Sequence, residues 1–454
     1  MTIAARGDRP ARSGQNKKQA CQKAITRQKG GAMQRGVWIL AALALSGCMS
    51  LDRGAGQVSR FTIGPADNQT QSTIIADLQA RRSILPPDSP YARISAPVLA
   101  AASRPAEAEL RGARLRAEAA SKNWLPKVGP NISLNSLSEI VSQLVVEQML
   151  FDNGHRKAER AFARADVEIA AVTMVEDTND RILTALGLYL DAMKARDRAA
   201  VESRTLADME QFEWIMAERV RGGVSDSSDL HVLRQKLAEI RSTLAAQQEA
   251  EATAFAELNA MSDGPLDDVS GLTDLPLGDP AARSLDVLRA EAEKERDIAS
   301  ARMERAGLLP ALTAGGTLGQ NGSGIGLNLS SDRLLGLGTG DSLDATETAR
   351  DAAARRVAQA EEDSARRLNR LHAQLAALSR QEREAQDLAG RAKVNLDLFQ
   401  RQYKAGQRQV MDVVGVYETF ATRQAASIDL KYERARTQLE IARHLGLLAE
   451  GSRI

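Results

Sequence analysis

Apolar residues recur along much of this chain at alternating steps of three and four. Leu183, Leu186, Leu190 and Met193 keep that spacing, Leu230, Leu233, Leu237, Ile240 and Leu244 extend it, and Leu368, Leu371, Leu375 and Leu378 repeat it. This is the heptad seam of helices packed side by side. No proline falls between residues 131 and 264 or after Pro310, and glycine or turn residues mark off four expected helices, at about 155–221, 226–262, 343–404 and 408–445. A helix of about 65 residues is roughly 100 Å long at 1.5 Å per residue. Such a rod cannot fold back into a ball and must lie beside similar rods.

The pattern occurs twice. Leu125-Pro126 returns as Leu309-Pro310, the Leu183–Met193 seam returns as Leu368–Leu378, and Gly223, six residues before Asp229, returns as Gly406, six before Asp412, all at an offset of 183–185 residues. That is an internal duplication. Each copy also holds a stretch unlike the helices: residues 128–151 and 311–330 are poor in charge and alternate apolar and small residues, as in Ile132/Leu134 and Ile325/Leu327/Leu329. Each reads as a strand–turn–strand pair, giving four strands per chain. Four strands cannot close a membrane barrel, which needs about eight. Open edges in hydrocarbon leave backbone groups unpaired, so if these segments are strands and not glycine-rich loops at a helix-bundle end, several chains must pool them.

The N-terminus adds an address. Residues 37–45 (VWILAALAL) form a short apolar run behind Arg35 and before Leu45-Ser46-Gly47-Cys48, the order of a secretory signal. The last four residues resemble a bacterial lipobox, whose cysteine is acylated and becomes the mature N-terminus. Residues 1–32 make an abnormally long basic stretch, and the natural start is expected at Met33. The chain has 60 basic and 59 acidic residues; residues 1–47 hold nine basic residues and Asp8, so the mature part carries 51 against 58, a net charge of −7. That balance gives no electrostatic reason to bind nucleic acid. Cys21 leaves with the leader and Cys48 is then the only cysteine, which excludes a disulfide framework or a thiolate metal site. Alanine accounts for 75 residues and aromatics for 3%, a composition suited to closely packed helices rather than to a globular core.

No constellation of residues suggests catalysis or metal binding. His155, His231, His372 and His444 are scattered without metal-ligand spacing; three of them fall on helix surfaces or caps by pattern, and an ordinary solvated role is expected. Gly322-Ser-Gly324-Ile-Gly326 lacks the Lys-Ser/Thr of a phosphate loop and fits a turn within strands. The runs Arg355-Arg356 and Glu361-Glu362-Asp363 read as solvated helix faces.

Over about residues 95–447 the chain resembles the TolC-like outer-membrane efflux proteins, as a lipoprotein member. The most specific element is Tyr403-Lys-Ala-Gly406-Gln-Arg408-Gln-Val-Met-Asp412-Val-Val, followed by an Ala-rich helix ending Ala442-Arg-His-Leu-Gly446. Val220-Arg-Gly-Gly223-Val-Ser-Asp-Ser-Ser228-Asp229-Leu matches more weakly, and Leu150-Phe151-Asp152-Asn153-Gly154-His155-Arg156 is similar to the family's strand-to-helix junction. The resemblance implies a mainly α fold with a small β part. Two-repeat long α-helical hairpins would form an α-barrel, and four strands per chain would contribute to an oligomeric transmembrane β-barrel. It implies a homotrimer in the outer membrane, a periplasmic adaptor, and an inner-membrane pump or ABC exporter. The role implied is that of a passive duct in tripartite efflux or type I secretion, not an enzyme, with no cofactor beyond lipid on Cys48. The hairpin turns at Gly223 and Gly406 would form the periplasmic tip. There Ser228, Asp229, Tyr403 and Arg408 match residues that hold neighbouring hairpins shut, and Asp412 matches a pore carboxylate. Gly415 stands where a second pore carboxylate is expected.

The expected layout is a leader (1–47), a lipid-anchored linker (48–94), a first repeat (95–264), an inter-repeat linker (265–283), a second repeat (284–447) and a tail (448–454). The competing reading is a periplasmic coiled-coil adaptor or envelope scaffold lipoprotein without a pore. Two hairpins and no long β-rich segment disfavour it. An envelope enzyme would need an acid, base or nucleophile constellation that is not evident. The lipobox makes a direct prediction: mass spectrometry of the mature N-terminus should find acyl chains on Cys48. Cleavage elsewhere with an unmodified cysteine would refute the anchor while leaving the channel reading untouched.

Overall fold

The computed structural model describes residues 72–102, 105–136, 139–277, 282–319, 322–330 and 339–453, without the side chains of 133–141 and 453. The leader and Cys48 lie outside the described residues. The helices are α1 (Thr73–Ala80), α2 (Pro90–Ala100), α3 (Pro105–Ser121), α4 (His155–Arg221), α5 (Ser227–Ala260), α6 (Leu285–Gly307), α7 (Thr339–Lys404) and α8 (Val410–His444). The strands are β1 (Lys127–Ser136), β2 (Glu139–Phe151), β3 (Ala311–Gly319) and β4 (Gly322–Ser330). The two longest helices hold 67 and 66 residues, and their partners α5 and α8 hold 34 and 35. The duplication read from the sequence is therefore a duplication of structure.

The helices form a layer of four rows. α4 packs against α3 along its first part and α5 along its last, and on its other side against α6 and then α8; α7 packs on α6 and α8. The rows run α3/α5, α4, α6/α8, α7. The strands pair antiparallel in the order β1-β2-β3-β4. Chain order explains the match: α3 feeds β1, β2 feeds α4, α6 feeds β3, and β4 leads towards α7. Sheet and helix layer thus share one order, each with two open edges at corresponding places.

The heptad seams do what their spacing requires. Leu186, Leu190 and Met193 are buried, as are Leu230, Leu233 and Leu237, and Leu371 and Leu378 continue a seven-residue step from buried Ser364. α4 sits between two rows and buries alanines at 165, 171, 185, 192 and 195; small side chains at a contact let helix axes approach closely. α7, with one neighbouring row, buries only a narrow stripe.

Part of the expected N-terminal linker is helical, and the C-terminal tail packs on it. Within residues 72–94, Ser72 and Ser89 cap α1 and α2 through Ile75 N (3.2 Å) and Ala92 N (3.2 Å), with Pro90 at the first helical position and residues 81–88 irregular between them. Ile74 and Leu78 pack against Val172 and Leu288, and Tyr91, Ile94 and Val98 pack against α4 beside Tyr189. The tail lies across them. Ile84 N donates to Leu447 O (2.9 Å), Leu448 N to Asn179 Oδ1 (2.9 Å) and Gly451 N to Arg81 O (3.0 Å). The inter-repeat linker is irregular as expected, yet Leu266, Val269 and Leu275 are buried in the same core and Gly271 O accepts from Tyr189 Oη (2.7 Å). These segments form a belt around the middle of the helix layer. A Cβ on Gly451 would lie 1.9 Å from Leu78 O. Gly451→Ala should therefore push the tail off α1 at a cost of about 1–3 kcal/mol, seen as a lower midpoint in denaturant unfolding.

Candidate functional site

Two regions carry the chemistry that the sequence pointed to, and the first is the sheet. Directly paired residues share a face, so the registers place Val128, Leu144, Val146, Leu312, Leu318 and Leu327 on one side. Ile325, Leu327 and Leu329 on this side are 95%, 71% and 69% exposed. The opposite side carries Lys127, Asn131, Gln143, Glu147, Thr317 and Asn328 among glycines, with Val141, Val145 and Met149 as apolar positions. Apolar and polar faces therefore alternate on strands of 9–13 residues, lengths that cross a bilayer when tilted. Trp124 and Phe151 stand exposed where strands meet helices. Asp152 caps α4 there, accepting from Gly154 N (3.1 Å) and Arg156 N (3.0 Å), while Asn153 Nδ2 reaches Pro310 O (2.8 Å) in the other repeat. Among the described residues no helix is long and apolar enough to span a membrane.

The second region is the pair of helix-hairpin ends. Gly223 and Gly406 adopt φ of 71° and 75°, the left-handed conformation that ends a helix with little cost for glycine. Their amides donate to Val220 O (3.0 Å) and Tyr403 O (2.9 Å), and the next amides, of Val224 and Gln407, to Arg219 O (2.8 Å) and Gln402 O (2.9 Å). The two turns are built alike. The caps differ. Asp226, not singled out from sequence, caps α5 by accepting from Ser228 N (3.1 Å), and that bond holds its carboxyl below the usual pKa. Asp229 falls in the first turn of α5. Asp412 Oδ2 accepts from Gln409 N (3.3 Å) at the start of α8, so the expected pore carboxylate also serves as a helix cap.

The structure brings the two hairpins of one chain side by side. Phe212 and Tyr403 meet edge to face at 6.1 Å, Tyr417 Oη donates to Asp208 Oδ2 at 2.6 Å, and Lys236 lies 3.5 Å from Glu418. Met209, Met216, Leu233, Leu396, Val410 and Val413 fill the space between them. Burial and the Asp208 carboxylate both push the Tyr417 phenol upward in pKa, which keeps it a donor. Tyr417, seven residues after Val410, was legible as a buried position on one stripe, but its partner Asp208 was not. Arg408 Nε donates to Gln402 Oε1 (3.1 Å) and its guanidinium stacks 4.5 Å from the Phe399 ring. Within one chain no ion pair joins Arg408 to Asp229 among the described residues.

His444 departs from the expected solvated role. It is 2% exposed, its Nε2 lies 3.1 Å from Ser364 Oγ, and its Nδ1 lies 3.5 Å from Asp286 Oδ2. Serine, imidazole and carboxylate stand in the order of a hydrolytic triad. However, Ser364 is itself buried between helices and donates to Ser284 Oγ (2.8 Å), and a nucleophile must present its oxygen to a substrate. The group is a structural junction. Among the described residues no three His, Cys, Asp or Glu gather as a metal-binding group.

No protein-family model matches the chain, and no curated protein sequence does. Solved structures do. A membrane protein from Pseudomonas aeruginosa superposes with a TM-score of 0.69 at 17% identity, over 86% of this chain and 96% of that one. The Campylobacter jejuni CmeC outer membrane channel gives 0.68 at 13%, over 80% and 87%. The outer membrane protein VceC from Vibrio cholerae gives 0.66 at 15%, over 82% and 95%. At these identities the likeness establishes the fold.

Proposed function

We propose that this chain, which has the fold of TolC-like outer-membrane channels, is one subunit of a passive export duct. The observation that carries the reading is the shared order of strands and helix rows, with open edges at β1 and β4 and at α3/α5 and α7. A sheet with an apolar face and two open edges is stable in lipid only if other copies pair those edges. Three copies would pool their strands into one barrel in the outer membrane, and the same closure would set α7 of one copy beside α3 and α5 of the next. The helices, roughly 100 Å long, would then continue the barrel across the periplasm. An adaptor and an inner-membrane pump or ABC exporter would meet its tip. Acyl chains on Cys48 would add an anchor. The 24 residue steps from Cys48 to Ser72 can span up to about 80 Å, whereas α1 packs beside Ala171 and Val172, only about 25 Å along α4 from its strand end.

The ring order also gives Arg408 a partner. Closing α7 against α5 of the next copy brings Arg408 to the edge where that copy carries Ser228 and Asp229. The gate pair would therefore form between copies, and Arg408 would exchange its Gln402 and Phe399 contacts for it. One exposed pair contributes only about 0–1 kcal/mol. Three around a ring, each supported by Tyr403, could bias a closed state by a few kcal/mol, and about 1.4 kcal/mol already shifts a population tenfold.

Crosslinking in intact membranes should trap a trimer; monomer alone would overturn the pooled barrel. In planar bilayers, Arg408→Ser with Tyr403→Phe should leave assembly intact and raise single-channel conductance. Asp412→Asn should change ion selectivity more than opening, together with a modest loss of stability from the missing cap, about 0.5–2 kcal/mol. If the double variant conducts like the parent, these residues are caps and not a latch.

A further inference from the structure

The buried group around His444 ties three helices together by a single hydrogen-bond chain. In the arrangement where Ser364 on α7 gives its hydroxyl proton to Ser284 Oγ (2.8 Å), His444 Nε2 is the donor in its 3.1 Å contact with Ser364. Ser284 is also the cap of α6, accepting from Val287 N (3.3 Å). The chain therefore runs from the last turn of α8 through the middle of α7 to the start of α6. With the proton on Nε2, Nδ1 is left as a bare acceptor, and it has no hydrogen-bond partner.

The surroundings are arranged for a neutral ring. Asp286 on α6 is the carboxylate facing Nδ1, but it stands 3.5 Å away and its side chain is half-exposed. Arg367 on α7 and Arg443 on α8 are like charges for an imidazolium. On α4, Glu176 and Asp180 are already engaged by Arg289 and Arg443. The nearby carbonyl of Leu445 accepts from Arg81, whose own charge is paired with Asp77 on α1 (3.2 Å), with Arg283 alongside. Burial lowers the pKa of His444 below its ordinary value; Asp286 opposes the fall, and Arg367 and Arg443 add to it.

We propose that His444, Ser364, Ser284 and Asp286 form an acid-release clasp: the neutral imidazole holds α6, α7 and α8 together, and its protonation loosens that junction. A proton on Nδ1 would place a charge where water is excluded and no hydrogen-bonded carboxylate receives it. The charged ring is relieved by turning out to solvent, which breaks the bond to Ser364 and frees the cap of α6. The sign follows from linkage. The unfolded or opened state binds the proton more readily, so the junction is fully held above the ordinary histidine value, near pH 6.5, and weakens as pH falls through and below it. The belt formed by α1, α2 and the tail packs on the same region, so loosening would begin in the middle of the duct and not at its tips.

Amide hydrogen exchange on the full-length protein tests this at about pH 7.5 and about pH 5. After correction for intrinsic rates, opening of residues 284–290 and 440–447 should rise on acidification by about tenfold per unit of lowered pKa. His444→Gln, which keeps a donor and does not titrate, should abolish that rise. Equal acid sensitivity in parent and variant overturns the clasp. Should the variant fail to fold, exchange of the histidine C2 hydrogen titrates His444 in the unmodified protein. A midpoint well below that of free histidine supports the clasp, and one at or above it refutes it.

Discussion

The outer N–H and C=O groups of β1 and β4, which pair with no other strand among the described residues, are the constraint on which the rest of the architecture depends. In lipid each such group costs several kcal/mol unless it finds a partner, and four strands of 9–13 residues cannot curl far enough to supply one another. The same incompleteness continues below the sheet, because each strand is joined to the helix row beneath it. α3/α5 and α7 stand at the two edges of the helix layer as β1 and β4 stand at the edges of the sheet. In the proposed assembly one closure operation would satisfy both layers, because a single interface between copies would align barrel and helices together.

Within the chain, stability is distributed along the rods and does not come from one centre. Three clusters hold the layer: one near the strands around Ala171 and Leu288, one at the belt around Tyr189 and Leu439, and one at the tips around Met209 and Val413. Between them, ion pairs such as Arg196–Glu251 and Arg434–Glu382 cross between rows. The half-exposed Arg196–Glu251 pair contributes little to stability by itself, whereas Glu382 is buried and depends on Arg434 for its charged partner. The belt also ties the two ends of the described chain: the segment just after α1 hydrogen-bonds to the tail through Arg81, Ser83 and Gly451.

The tips and the His444 junction show two uses of polar groups in one helix layer. At the tips, carboxylates of Asp226 and Asp412 satisfy free amides at helix starts, where the macrodipole also favours negative charge. These groups are exposed and can exchange partners without a large desolvation cost. At the junction, Ser364, Ser284 and His444 are buried, so their bonds are all-or-none: a buried donor or acceptor left alone costs about 1–3 kcal/mol. Exposed polar groups can exchange partners readily, whereas buried ones part only at the cost of an unmet hydrogen bond.

Periodicity and duplication determined most of this fold in advance. Steps of three and four specified the helices to within a few residues of His155–Arg221 and Val410–His444, because a heptad seam has no other way to hide its apolar side chains. Alternation in Ile325/Leu327/Leu329 specified strands with one apolar face, and the positive φ at Gly223 and Gly406 followed from helices that must stop and reverse. What tertiary structure alone decided were matters of partnership. α1 and α2 are too short to be stable by themselves and exist because Ile74, Leu78, Tyr91 and Ile94 find apolar surface on other elements. His444, between Arg443 and Leu445 at a helix end, has the sequence context of a solvated cap; only the approach of α6 and α7 buries it. Arg408 can be placed at a turn from its spacing to Gly406, but whether it bonds Gln402 or a carboxylate on another copy depends on which surfaces meet, and linear order does not encode that distance.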